Sequence, residues 1–102
     1  FVNEDWTLDH RQYFGNGECF LFSLLPTFGV YKTTGADTCY MLAKHDYIAM
    51  GGGANSGVHG FWLDNELYYG SSGVSKTFLN RPLASSEDFM CATVEVWSLE
   101  SF

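Results

Sequence analysis

Basic residues are scarce in this chain. Lys and Arg number 5 against 12 Asp and Glu, a formal net charge of -7. Affinity for phosphate backbones comes mainly from Lys and Arg. Arg11, Lys32, Lys44, Lys76 and Arg81 are scattered and form no stripe. Nucleic-acid binding and direct docking on anionic membranes are therefore set aside, whereas a basic protein partner suits the charge. Cysteine is sparse as well. Cys19, Cys39 and Cys91 are odd in number and widely spaced, so they form neither a zinc knuckle nor a redox dithiol. No Asn-x-Ser/Thr glycosylation acceptor occurs, and no apolar run is long enough to span a membrane. The first residues carry acids and Trp6 rather than the basic-then-apolar pattern of a signal peptide. Together these absences point to a reducing, cytosolic-type compartment and argue against direct membrane insertion.

Long helical periods are missing too, and so are internal repeats and low-complexity tracts. What is present is core material for one domain: 102 residues, 46% hydrophobic and 18% aromatic. The charged fraction, 17%, is low for a soluble domain. Less polar surface implies that part of the outside is covered by further chain or by a partner. Residues 19–24 alternate, with Phe20, Phe22 and Leu24 on one face and Cys19, Leu21 and Ser23 on the other. Both faces are mostly apolar, which predicts a central strand buried on both sides. Leu25-Pro26-Thr27-Phe28-Gly29 is turn chemistry, and residues 30–34 return as a strand. Further short strands are expected at 38–42, 47–50, 58–63 and 66–69, the last two joined by a two-residue turn at Asp64-Asn65. Ser85-Ser86-Glu87-Asp88 reads as a serine cap and acidic first turn of a short helix. Residues 93–99 alternate as a final strand, Val94 and Val96 opposite Trp97 and Leu99. Many short strands separated by turns predict a sandwich or barrel. Phe1-Val2 runs straight into Asn3-Glu4-Asp5-Trp6, which reads as a chain entered partway through a domain.

The motifs that invite chemistry each meet a simpler reading. The glycines of residues 51–57 lack the Lys-Ser/Thr pair of a phosphate loop and have Val58-His59 after them. A tight bulge or close strand crossing is the expected role. His10, His45 and His59 show no spacing with further ligands and read as exposed or hydrogen-bonded side chains rather than a zinc site. Ser72, His59 and Asp64 could be assembled into a triad on paper, as any sequence of this length allows. Asp64 is better read as a turn former. Glu18 beside Cys19, together with burial, disfavours a thiolate, and Cys39 and Cys91 lie in similar apolar settings. Glu18 itself follows Gly15-Asn16-Gly17. Its carboxylate is expected to anchor that loop by hydrogen bonds, with a partner contact as the alternative.

Phe14-Gly15-Asn16-Gly17-Glu18-Cys19-Phe20-Leu21-Phe22 resembles the Gly-x-Gly-Glu-x-Phe-Leu-Phe signature of the TLDc domain family. Tyr31-Lys32-Thr33-Thr34-Gly35, Gly51-Gly52-Gly53, Gly60-Phe61-Trp62-Leu63-Asp64 and Leu67-Tyr68-Tyr69-Gly70 follow. Thr77-Phe78-Leu79-Asn80, Leu83, Phe89 and Val94-Glu95-Val96-Trp97 complete the series, and Asp5-Trp6 fits ahead of it. Asn65 departs from the family's turn glycine. Ser75 stands where many members carry cysteine, so any redox role of that cysteine is missing here. The stretch 54–59 is slightly longer than usual.

The resemblance implies a mostly β, two-sheet antiparallel β-sandwich with one or two short helical turns. Residues 1–102 would be the larger, C-terminal part of the domain, incomplete without an N-terminal helix and strands. It implies no catalytic residues, no cofactor and no metal. Gly15, Gly17, Glu18, Gly51, Gly52, Gly53, Trp62, Asp64, Gly70, Glu95 and Trp97 are its motif positions, structural or in contact with a partner. The family is associated with intracellular eukaryotic proteins that resist oxidative stress. Several members bind the vacuolar proton-pumping ATPase (V-ATPase) and some promote its disassembly. The first expectation is thus a cytoplasmic protein-binding module docking on V-ATPase peripheral subunits. The second is a structural part of a cytoskeletal or ciliary assembly, and the third a redox enzyme using Cys19, Cys39 or Cys91.

Overall fold

The computed structural model describes residues 1–7, 12–52 and 58–98. Among them there are strands and turns but no helix. The strands are β1 (Phe20–Ser23), β2 (Gly29–Lys32), β3 (Met41–Ala43), β4 (Tyr47–Met50), β5 (Phe61–Asp64), β6 (Tyr69–Ser71) and β7 (Asp88–Met90). β1 and β2 form a two-stranded antiparallel sheet, and β3-β4-β5-β6-β7 form a second sheet in simple chain order. All pairings are antiparallel, as short connections require. The mostly β reading with two antiparallel sheets is therefore correct.

The two sheets share one core. Cys19 and Leu21, from the first sheet and its approach, are buried with Met41, Ala43 and Met50 of the second, and with Phe14 and Phe78. Phe14 joins by a bridge to Met41, donating to its carbonyl at 2.8 Å and accepting from its amide at 3.0 Å. Trp6 meets the Phe14 ring edge-on at 6.1 Å.

Three expectations fail, each for a physical reason. β1 is buried on one face only, with Phe22 48% and Leu24 64% exposed on the other. No layer among the described residues covers that face. The apolar outer positions are instead partly shielded by each other, Phe20 stacking on Phe1 at 5.0 Å and lying 6.3 Å from Phe22. The helical turn at 85–88 does not form. Ser86 donates its hydroxyl to the Asp88 carbonyl at 2.7 Å instead of accepting a helix amide, and residues 83–87 bend directly into β7. The strand expected at 93–99 is absent from its described part: residues 93–98 pair with nothing in either sheet. Alternation supplies two faces, but a strand also needs a neighbour for its amides and carbonyls. Leu99 lies outside the described residues.

The β5–β6 turn also differs in detail. Leu67, not Asp64 or Asn65, takes the left-handed conformation, with φ 58°. The Asp64 carbonyl accepts from Leu67 N at 3.1 Å, and its carboxylate accepts from Tyr68 N at 2.9 Å. Asp64 is thus a turn former as expected, in a longer turn spanning residues 65–68.

Candidate interaction surface

The structural centre of the chain is where β4 ends. Gly51 has φ 79°, a conformation that side chains resist, and its amide reaches the Cys39 carbonyl at 2.9 Å. A Cβ there would lie 2.8 Å from Ser75 Oγ and 2.9 Å from the Phe78 ring. Gly52 donates to Thr77 Oγ1 at 3.1 Å and accepts from Lys76 N at 3.0 Å. The glycines therefore serve a close crossing of β4 and the 75–78 turn. Gly53 lies outside the described residues, as does His10.

A polar network fills the space beneath that crossing. Ser72, Ser75, Thr77 and Asn80 are all buried. Asn80 Oδ1 accepts from Ser75 N and Oγ, and its Nδ2 donates to the carbonyls of Gly73 and Arg81. Ser72 Oγ donates to the Gly60 carbonyl at 2.6 Å and accepts from Leu83 N at 2.7 Å. Buried and doubly engaged, that hydroxyl is structural, and the Ser72–His59–Asp64 triad drawn on paper has no nucleophile. Sequence reading missed this network. Its signal was the cluster of small uncharged polar residues Ser71, Ser72, Ser75, Thr77 and Asn80, interspersed with apolar ones.

The second sheet turns one face to the core and the other outward. The register places Tyr47 opposite Asp64, Ala49 opposite Trp62, Trp62 opposite Ser71, Ser71 opposite Asp88 and Tyr69 opposite Met90. These residues share the face away from the core, on which Ala49 is itself covered, because side chains alternate along each strand. Tyr47 and Trp62 lie 5.7 Å apart between ring centres, and Tyr47 lies 6.2 Å from His59. Tyr47, His59, Trp62, Tyr69, Ser71 and Asp88 line an open recess of about 540 Å³. His59 is held by Nδ1, 2.9 Å from the Gly51 carbonyl. A carbonyl only accepts, so Nδ1 is the donor in that bond. Tyr13 hydroxyl lies 3.4 Å from the same Nδ1. Burial first, then the nearby Cys39, Tyr47 and Asp37, push the Tyr13 phenol up to about 12.

Trp62, Gly70, Gly51 and Gly52 thus belong to one region. Gly70 sits under the Phe89 ring, where a Cβ would approach it to 2.5 Å. Gly15, Gly17 and Glu18 lie elsewhere, in the loop before β1. Gly15 has φ 92°. Asn3 Oδ1 accepts from Asn16 N at 3.0 Å, and Asn16 Oδ1 accepts from Glu18 N at 2.8 Å. The anchors are therefore these two asparagines. The Glu18 side chain is exposed and does not anchor the loop. Glu95 and Trp97 stand in the unpaired segment after β7, with Trp97 81% exposed.

The cysteines do not share one setting. Cys19 is buried, and its thiol lies 2.9 Å from Asn3 Oδ1. Cys39 is partly exposed, and burial, followed by the charge and hydrogen bond of Asp37, pushes its thiol up, away from the reactive thiolate. Cys91 points at the Thr93 carbonyl, 3.4 Å away. Among the described residues no group of three or more His, Cys, Asp or Glu side chains converges as a metal site would.

Comparison with known proteins gives this arrangement a context. The family model described as TLDc domain matches residues 1–100. The chain is 41% identical over 88 residues to "Oxidation resistance protein 1" of Homo sapiens, covering 86% of the chain and 10% of that protein. It is 41% identical over 92 residues to "Nuclear receptor coactivator 7" of Gallus gallus, covering 90% of the chain and 10% of that protein. The chain thus spans about a tenth of the length of the curated relatives it matches.

Proposed function

Because the chain belongs to the TLDc domain family, we propose that it is a protein-binding module without catalytic chemistry of its own, from an oxidation-resistance-type protein of the cytoplasm. Its partner in this reading is the peripheral part of the vacuolar proton-pumping ATPase, whose assembly or response to oxidative stress it regulates. The observation that carries the proposal is the family match over residues 1–100, with a relative named for oxidation resistance. Two features support it. The β1–β2 hairpin exposes Phe22 and Val30 on its strands and Leu24 and Phe28 in its turn, and exposed apolar patches mark protein contacts. The acidic balance, -7, favours a basic protein surface.

The test is affinity purification of the longer protein that carries this chain, with mass spectrometry of what stays bound after stringent washing. Recovery of the pump's peripheral subunits is the expected result. Recovery of filament proteins without pump subunits would replace this reading with that of a structural part of a cytoskeletal or ciliary assembly.

A further inference from the structure

The recess on the outer face of the second sheet has a chemistry of its own. Three rings line it, those of Tyr47, Trp62 and Tyr69. Aromatic faces carry a negative quadrupole and attract cations that lie against them. Asp88 stands in one row with Trp62 and Ser71 across β5, β6 and β7. Ser86 engages only its backbone carbonyl, and the Asp88 side chain is exposed, so the carboxylate is accessible to a donor. Among the described residues, no lysine or arginine lines the recess, so its aromatic faces and carboxylate have no internal cation. The whole chain carries -7, which draws a positive group toward it.

We propose that this recess receives an arginine side chain presented by a protein partner. A guanidinium is flat, so it can lie against the rings of Trp62 and Tyr69. Its fork of donors also matches a carboxylate through two parallel hydrogen bonds, which the compact ammonium of lysine does not. The recess is open rather than enclosed, which fits a side chain arriving on another surface better than a small molecule swallowed whole. An apolar occupant would leave the Asp88 carboxylate unused, and an anionic one would be repelled by it. The inference does not depend on which protein supplies the arginine.

The chain, labelled with nitrogen-15, is titrated with an end-blocked glycine peptide carrying one central arginine. The same peptide carrying citrulline, uncharged but nearly the same shape, is the control. The expected result is movement of the Trp62 indole signal and of the Ser71 and Asp88 amide signals, with the citrulline peptide weaker by about fivefold or more. Asp88→Asn and Tyr69→Leu, both at exposed positions, each weaken the arginine peptide by about fivefold while leaving the remaining spectrum in place. Equal binding of the citrulline peptide would overturn the proposal. So would shifts confined to the β1–β2 hairpin, or unchanged binding in both variants. Loss of pump subunits in the purification experiment leaves these outcomes unaffected, so the two readings fail separately.

Discussion

Replacing Asn80 by alanine removes the hub of the buried polar network. The Asn80 side chain makes 4 hydrogen bonds, two accepted from Ser75 and one donated to each of the Gly73 and Arg81 carbonyls. With only 1% of Asn80 exposed, no water replaces these partners without reorganising the turn. At about 1 kcal/mol net for each bond, the loss is about 4 kcal/mol. That is a large share of the roughly 5–15 kcal/mol that holds a domain of this size. Urea unfolding, followed by circular dichroism and tryptophan fluorescence, measures it directly. With a slope of about 1.5 kcal/mol per molar urea, the midpoint falls by roughly 2.7 M. Ser75→Ala is the companion variant, because it removes one hydroxyl from the same network and costs about 1–2 kcal/mol. The double variant should then cost less than the two losses added, since both remove the same Ser75–Asn80 bond. A loss under about 1 kcal/mol for Asn80→Ala would refute the network as a source of stability. Strict additivity in the double variant would refute the coupling.

Gly51→Ala should cost about 3 kcal/mol, combining the left-handed φ with a Cβ pressed against Ser75 and Phe78. Gly35→Ala shares the left-handed φ but has nothing within 4 Å, so it should cost about 1 kcal/mol, and equal losses in urea would refute the packing argument. Tyr13, with its phenol raised from 10.0 to about 12, keeps its proton in the folded chain while the unfolded chain has begun to release it. Its contribution to stability is therefore complete below pH 10.0 and is lost as the pH rises toward about 12. Cys39 shifts in the same direction, so the comparison is between the parent and Tyr13→Phe. Alkaline unfolding should be less steep in the variant, and phenolate absorbance should lose its latest-titrating component. An unchanged titration curve would refute the assignment.

Part of the fold was legible in the residues themselves. Alternation located most strands to within a few residues, because a strand's two faces are written directly in its sequence. Gly51 and Gly52 were readable as a close crossing, since few other roles need glycines in sequence. Asp64 was readable as a turn former, because its carboxylate satisfies an amide only four residues away, at Tyr68. The family, too, was readable from the order of its motifs. Neighbours decided the rest. Residues 93–98 carry the same alternation as β1, yet among the described residues no strand pairs with them. Phe22 and Leu21 are adjacent and equally apolar, but only Leu21 faces the second sheet, so one is buried and the other exposed. Ser86 had the chemistry of a helix cap but donated to a strand carbonyl instead. The recess of Tyr47, Trp62, Tyr69 and Asp88 draws on four strands, β4 to β7. Local preference and periodicity are properties of the chain and survive in its sequence. Burial, pairing and the meeting of distant side chains depend on register between strands, which exists only once they are side by side.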